Sequence, residues 1–266
     1  MTPISLKAVA SAFPEQVVPN DFFGDGEGLS TSGMFRGAKL RHHMAPGQTA
    51  VDLIVSATAK VQEQTGFDPS EDLDIILTNV SMPDLPFTGC GAEVAKMLGA
   101  RPSSVYDLHN HGCVSFISMI QLAQSLMTTT GARSALLCNV QTAAGRIFSD
   151  PEVRKTPQAA VPGDGCGVAL LVAGDERPVE HATVRCFAEY ASDMQITSDS
   201  GRPWWEPCEA QFHIDFSRSK VAKIVQRGNR LVPGMVQEAC AKAGIKPSDA
   251  GTLITNQPNP VFLRNW

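Results

Sequence analysis

Between Thr49 and Val172 the chain switches repeatedly between two hydrophobic periods, and few architectures accommodate such a pattern. Behind Thr49-Ala50-Val51-Asp52, which reads as a capping box, Val51, Ile54, Val55, Thr58 and Val61 recur at helical spacing until Gly66. Runs too short for helices surround it: Ile4 to Phe13, Asp74 to Asn79, Ser104 to Asp107, Ser134 to Val140 and Val168 to Val172 read as strands. A turn-rich piece, Met82 to Phe87, leads to a short helix over Gly91 to Leu98, and a long apolar helix runs from about Val114 to Met127. The order is βαβαβαββ, which predicts an α/β fold with a mostly parallel sheet covered on both faces. The small polar residues Ser115, Ser118 and Ser125 leave most of the circumference of the long helix oily, so it is expected in the middle of the domain.

Residues 1–177 hold this first unit, and residues 178–266 begin a second. There Ala182 to Tyr190 reads as a strand. A helix opens near Pro233 and closes at Gly244, turning Val232, Val236, Ala239, Cys240 and Ala243 inward. Thr252 to Thr255 reads as a second strand, and a further helix starts toward Trp266. The second unit has sequence for only the first portion of what the first contains.

With 43% hydrophobic and 18% charged residues in 266, the chain is not disordered. Lys and Arg total 22 against 27 Asp and Glu, a formal charge of -5 that argues against a nucleic-acid partner. No stretch approaches the roughly 20 apolar residues of a membrane span, and no basic flank with a long apolar run stands at the start. The expectation is a cytoplasmic protein away from membranes. Seven scattered cysteines without a C-x-x-C pair read as reduced thiols, not as disulfides or a zinc site.

Cys113 stands where a strand hands over to a helix. A tight turn there exposes a side chain, and nearby helix N–H groups favour thiolate, which is how a nucleophile is built. The competing reading is a packed core cysteine. His109 and His111 would share one face of a strand as bases or ligands, or be ordinary packed histidines. His42-His43 beside Arg41 read as a polar loop. Gly163-Asp164-Gly165-Cys166-Gly167 precedes a strand rather than a helix, so it reads as a tight turn and not as a phosphate loop. Arg218, Lys220, Lys223, Arg227 and Arg230 could stripe one helix face, solvated by default but able to dock a phosphate or an acidic carrier. Trp204-Trp205 could pack or form a lid.

Five segments together resemble the ketoacyl synthase III family of thiolase-fold enzymes, which join acyl groups carried on coenzyme A or acyl carrier protein. They are Leu40-Arg41-His42-His43-Met44-Ala45 with Thr49-Ala50-Val51-Asp52-Leu53, Met82-Pro83-Asp84 through Leu98-Gly99-Ala100, Tyr106-Asp107-Leu108 through Gly112-Cys113-Val114-Ser115-Phe116, Pro162 through Val168, and Thr255-Asn256-Gln257-Pro258-Asn259. The resemblance implies two βαβαβαββ-type halves, the second incomplete here. It implies that Cys113 takes the acyl group as a thioester, with turn amides, its own included, holding the oxyanion. Phe116 and Asn259, with Arg218 and Lys220 of the basic stripe, are the expected substrate-binding set, and the resemblance implies no tightly bound cofactor, coenzyme A or phosphopantetheine thioesters being substrates. Members generally pair through their central sheets, so a homodimer or a complex with a homologue is expected, with Cys113 to Met127 and Met82 to Phe87 near the interface.

Three departures qualify the expectation. The family's H-Q-A-N segment reads Asn256-Gln257-Pro258-Asn259, so an amide that can donate a hydrogen bond but cannot take a proton replaces the histidine. Ser115 stands where the family usually has glycine. The family also continues with the rest of the second half, including an Asn-bearing loop, which implies either a fragment or strands supplied by another chain. The function implied is acyl transfer through Cys113 in fatty-acid-like or polyketide metabolism. Decarboxylative formation of a 3-oxoacyl product and a non-catalytic partner of an active homologue are the alternatives.

Overall fold

The computed structural model describes residues 3–24, 38–85, 87–109, 111–193, 196–198, 200–203, 205–207, 209, 212–214, 218–257 and 264. Its strands are β1 (Ile4–Ala12), β2 (Val17–Pro19), β3 (Leu40–His42), β4 (Ile75–Val80), β5 (Ser104–Leu108), β6 (Ser134–Gln141), β7 (Gly165–Ala173), β8 (Ile196–Ser198) and β9 (Phe212–Ile214). Its helices are α1 (Ala50–Thr65), α2 (Pro69–Asp72), α3 (Gly91–Met97), α4 (Ser115–Thr130), α5 (Ala143–Arg146) and α6 (Arg218–Lys242). The chain divides into two compact units: residues 1–16, 42–142 and 164–184, and residues 17–41, 143–163 and 185–266.

The first unit is built on a five-stranded sheet in the order β1-β7-β6-β4-β5. Only β7 runs against the other strands, since it pairs antiparallel with β1 and β6 while β4 pairs parallel with both β5 and β6. Side chains alternate across these strands, and the two faces collect different sets. Ile76, Val80, Leu136, Val140, Val168 and Leu170 meet α1 and α3 on one face. On the other, Ile75, Leu77, Ala135, Leu137 and Leu171 meet Met119, Ile120, Ala123 and Met127 of α4. Burial of both faces explains why β4 is apolar almost throughout, every residue of it being buried.

Helix α1 forms as its sequence dictates. The Thr49 side chain accepts from Asp52 N and Asp52 accepts from Thr49 N at 2.8 Å, completing the capping box. Gly66 ends the helix in the left-handed region with φ 70°. Helix α4 differs from expectation. It lies along one face of the sheet, burying Ser115, Ser118, Met119, Ile120, Ala123 and Met127 while Ile117 stays 40% exposed. Apolar residues on its outer side do not make it central, because burial requires a partner on that side.

The outer margin of β1 is partly covered. Leu6 N donates to Arg177 O at 3.1 Å, Val179 N donates to Ile4 O at 2.9 Å, and Lys60 Nζ donates to Ser11 O at 2.7 Å.

The stretch read as a polar loop around Arg41 is not one. Leu40–His42 is strand β3, paired with β2, and Arg41 and His43 are only 4% and 1% exposed. Arg41 Nε donates to Ala160 O at 2.5 Å, and its guanidinium lies 5.3 Å from the Phe23 ring centroid. Within the first unit, the Asp164 carboxylate accepts from Met44 N at 2.7 Å and its own N–H donates to His42 O. Gly165 to Gly167 open strand β7 rather than completing a tight turn, and the segment holds main chain rather than phosphate.

Ala182 to Tyr190, which begins in the first unit and ends in the second, forms no strand, only a short 3-10 turn at Ala188–Tyr190, and Thr252 to Thr255 is without regular structure. Local β-propensity makes a strand only where a neighbour supplies the ladder, and among the described residues neither stretch pairs with one. Helix α6 begins at Arg218 rather than near Pro233, which lies inside it. Proline gives up one helical N–H there without ending the helix. The expected helix start at Trp266 falls outside the described residues.

Candidate functional site

Cys113 sits between β5 and α4, in a one-turn 3-10 helix over Gly112–Val114. Gly112 takes a left-handed φ of 52°, which reverses the chain within one residue. Six cysteines are described, all free; Cys90, Cys138, Cys166 and Cys240 are buried, whereas Cys113 and Cys186 are exposed. Cys113 as a residue is thus exposed on this turn, in contrast to the core cysteines of the same unit, although surrounding atoms crowd its sulfur.

The connection from β5 to α4 is fastened along its length. Asn79 Nδ2 donates to Leu108 O at 3.1 Å, where the strand ends. Ser115 Oγ lies 2.5 Å from Gly112 O, which also accepts from Ser115 N, and 3.2 Å from Asn139 Oδ1. Ser118 Oγ donates to Val114 O at 3.2 Å, and His111 Nδ1 is 3.1 Å from the same hydroxyl. Asn79 and Asn139 face each other in the parallel register of β4 and β6, near the carboxyl ends of both strands. Sites in open α/β sheets lie beyond such ends. A sequence reading misses this pair, although an asparagine closing each of two apolar strands was the available signal.

Upstream, Asp107 Oδ1 accepts from Thr78 Oγ1 at 2.5 Å, from Cys90 N at 2.8 Å and from Gly91 N at 2.9 Å. This carboxylate caps the start of α3 and ties it to the strand that leads to Cys113.

Electrostatics at the sulfur run against the sequence expectation. Desolvation by surrounding atoms raises the Cys113 pKa above the ordinary thiol value, and a contact from its own N–H partly offsets this. Helix α4 starts two residues later, at Ser115, so the amide that favours the thiolate belongs to Cys113 itself. The direction of this shift disfavours a standing thiolate, so reaction at this sulfur calls on a base or a fleeting thiolate.

Phe116 lies on the first turn of α4, half-buried against the core cluster on that face. His109 and His111 both lie beyond the end of β5 and are exposed, so the strand alternation that would align them does not apply. Asn256 is exposed in an irregular stretch of the second unit, and Asn259 lies outside the described residues. Arg218 and Lys220 occupy the first turn of α6, with side chains outside the description. Arg227 is not a free member of a basic stripe: it pairs with Asp193 and stacks 3.9 Å from the Tyr190 ring centroid. Trp205 is 68% exposed, and Trp204 lies outside the described residues. Among the described residues no cluster of His, Cys, Asp and Glu could hold a metal ion, and no helix is long and apolar enough to cross a membrane.

Residues 106–188 match the family model of 3-oxoacyl-[acyl-carrier-protein] synthase III. The chain is 25% identical over 274 residues to beta-ketoacyl-[acyl-carrier-protein] synthase III of Gloeobacter violaceus, covering 99% of this chain and 79% of that protein. It is similar in structure to 3-oxoacyl-(acyl carrier protein) synthase III of Pseudomonas aeruginosa, with TM-score 0.80, 21% identity and coverage of 99% of this chain and 78% of the other. A priming β-ketosynthase of a polyketide pathway matches with TM-score 0.80 at 18% identity, covering 98% of this chain and 76% of its own.

Proposed function

We propose that the chain is a ketoacyl synthase III-like, thiolase-fold condensing and acyl-transferring enzyme, a reading supported by the family-model match and the similar relatives, and that Cys113 takes an acyl group from coenzyme A or an acyl carrier protein and passes it to an acceptor. The observation that carries this reading is the exposed position of residue Cys113 on the β5–α4 turn, where the other described cysteines of that unit are buried.

The Cys113 sulfur, on losing its proton, attacks the donor thioester carbonyl; the carbon–sulfur bond to the carrier breaks and the carrier thiolate takes up a proton. Exchange between two thioesters is nearly isoenergetic, so the chemistry needs a poised nucleophile rather than a strong driving force. The Cys113 N–H stabilises negative charge on the sulfur before attack and is positioned to serve an oxyanion as it develops. Asn256 acts, in this reading, as a hydrogen-bond donor in the second half-reaction, which favours transfer to an oxygen, nitrogen or carbon nucleophile. Phe116 and Asn259 contact the acyl group and the carrier arm, and Arg218 and Lys220 receive the carrier's acidic surface. The acting form is a cytoplasmic homodimer or a pair with a homologue. Phe87 and Leu85, 95% and 54% exposed, support a covered face in the Met82–Phe87 segment.

The relatives' name, 3-oxoacyl synthase, supports a second reading in which the acyl-Cys113 condenses with a malonyl extender and releases CO2. Incubation of the full chain with acyl-CoA thioesters of two to twelve carbons, followed by intact mass measurement, tests the shared first half. The expected result is one acyl adduct on wild type and on Cys186→Ala, and none on Cys113→Ala. An adduct that persists in Cys113→Ala, or no adduct with any donor, overturns the proposal. Evolution of CO2 with malonyl carrier then separates condensation from simple transfer.

A further inference from the structure

Ser115 is fully buried, and its hydroxyl faces two oxygens, Gly112 O at 2.5 Å and Asn139 Oδ1 at 3.2 Å. A hydroxyl has a single proton, and Gly112 O can only accept, so the shorter contact holds it most strongly. The longer contact, to Asn139 Oδ1, shares the same proton. The result is a tie from the Asn139 side chain through the Ser115 hydroxyl to the Gly112 carbonyl. It starts on β6, in the centre of the sheet, and ends on the residue before Cys113.

The Gly112 carbonyl and the Cys113 N–H belong to one planar trans peptide unit, so fixing one fixes the other. Gly112 O is held twice, by Ser115 N and by Ser115 Oγ, and glycine at 112 imposes little torsional restraint of its own. We propose that Ser115, backed by Asn139, is a positioning residue that locks the Gly112–Cys113 peptide plane and so aims the Cys113 N–H at the oxyanion that forms beside the sulfur. A glycine at position 115 has no hydroxyl with which to do this, so the clamp belongs to this chain's own sequence. Its catalytic consequence rests on the acyl-transfer reading above; its structural part does not.

The test compares full-length wild type, Ser115→Ala, Ser115→Gly, Asn139→Ala and Ser115→Ala/Asn139→Ala, each verified as folded by its thermal transition. Three quantities are read: single-turnover acylation of Cys113 by acyl-CoA, alkylation of Cys113 by iodoacetamide, and deuterium uptake of the peptide spanning 108–116. Alkylation by iodoacetamide passes through no oxyanion, whereas acylation does. The expected result is acylation slowed about tenfold or more in both Ser115 variants with alkylation within about twofold of wild type, because one oxyanion donor is worth about a hundredfold when removed and less when only misaligned. The double variant is expected to be no slower than Ser115→Ala, since both residues act in one chain. Acylation and alkylation falling together, neither changing, or independent effects of Ser115 and Asn139 would overturn the proposal. If wild type accepts no acyl group from any donor, the acyl-transfer reading has failed, and deuterium uptake decides the clamp: faster exchange over 108–116 in Ser115→Ala supports it, and unchanged exchange overturns it.

Discussion

Thr78 Oγ1 donates to Asp107 Oδ1 at 2.5 Å, and the two residues face each other in the parallel register of β4 and β5. The same oxygen receives Cys90 N and Gly91 N, so one carboxylate joins two strands to the start of a helix. Replacement by alanine strands three donors, and each such loss costs about 1–3 kcal/mol before relaxation or entry of water. Asp107→Ala is therefore expected to lower unfolding stability by about 2–4 kcal/mol, and Asp107→Asn, which keeps an acceptor, by about half that. Urea unfolding of both variants checks this, and equal losses would show that the acceptor geometry is not what matters.

Gly89 has φ 64°, and a Cβ placed on it would lie 2.2 Å from Asp107 Cγ. Left-handed backbone alone costs a non-glycine residue about 1–2 kcal/mol, and the clash adds displacement of the Asp107 carboxylate. Gly89→Ala is expected to destabilise at least as much as Asp107→Ala, and the double variant less than the sum, because both disturb one network. Thermal denaturation of the two single variants and the double closes the cycle.

Burial pushes the Cys90 thiol up to about 11 and the Cys166 thiol up to about 12. An unfolded thiol titrates near 8.5, so between about pH 8.5 and 11 the unfolded chain loses these protons while the folded chain keeps them. Folded pKa values raised in this sense cost stability as pH rises, by about 1.4 kcal/mol per pH unit for each group. The loss begins at the unfolded value and ends where the folded group ionises. Unfolding midpoints are expected to fall steeply from pH 8 to 10, and Cys166→Ala is expected to flatten the slope. A slope unaffected by that substitution would assign the alkaline loss to other groups.

Cys113 also rests above the ordinary thiol value, with desolvation as the main cause. Its alkylation by iodoacetamide is expected to rise about tenfold per pH unit between pH 7 and 8 without levelling off, because the thiolate is the reacting species. A plateau below pH 7 would mean a thiolate stabilised by a partner that the described residues do not contain. The pH profile of adduct formation, followed by mass, distinguishes the two.

Much of the first unit was legible because its signals are local. Thr49, Asp52 and Gly66 mark both ends of α1 by cap chemistry alone, and the run at residues 74–79 is apolar because both its faces are covered. Signals that depend on a neighbour were not legible. Ala182 to Tyr190 has the composition of a strand but no partner among the described residues, and α6 continues through Pro233 because a proline removes one hydrogen bond without forbidding the rest. At the candidate site the position of Cys113 on a strand-to-helix turn could be read directly. The direction of its pKa shift could not, because desolvation depends on atoms distant in sequence. Nor could the ties at Asn79, Asn139 and Ser115, which appear only once the strand register is set.

The outer margin of β1 offers Ile4 O, Leu6 N and Ser11 O, and all three are already occupied, two by the returning segment around Arg177 and Val179 and one by an ammonium group from α1. A foreign extended peptide finds there neither a full row of vacant amides nor a neutral flank. Strand addition along that border is thereby opposed at both ends of β1, and at one of them a charged side chain takes an acceptor that a further strand would otherwise use.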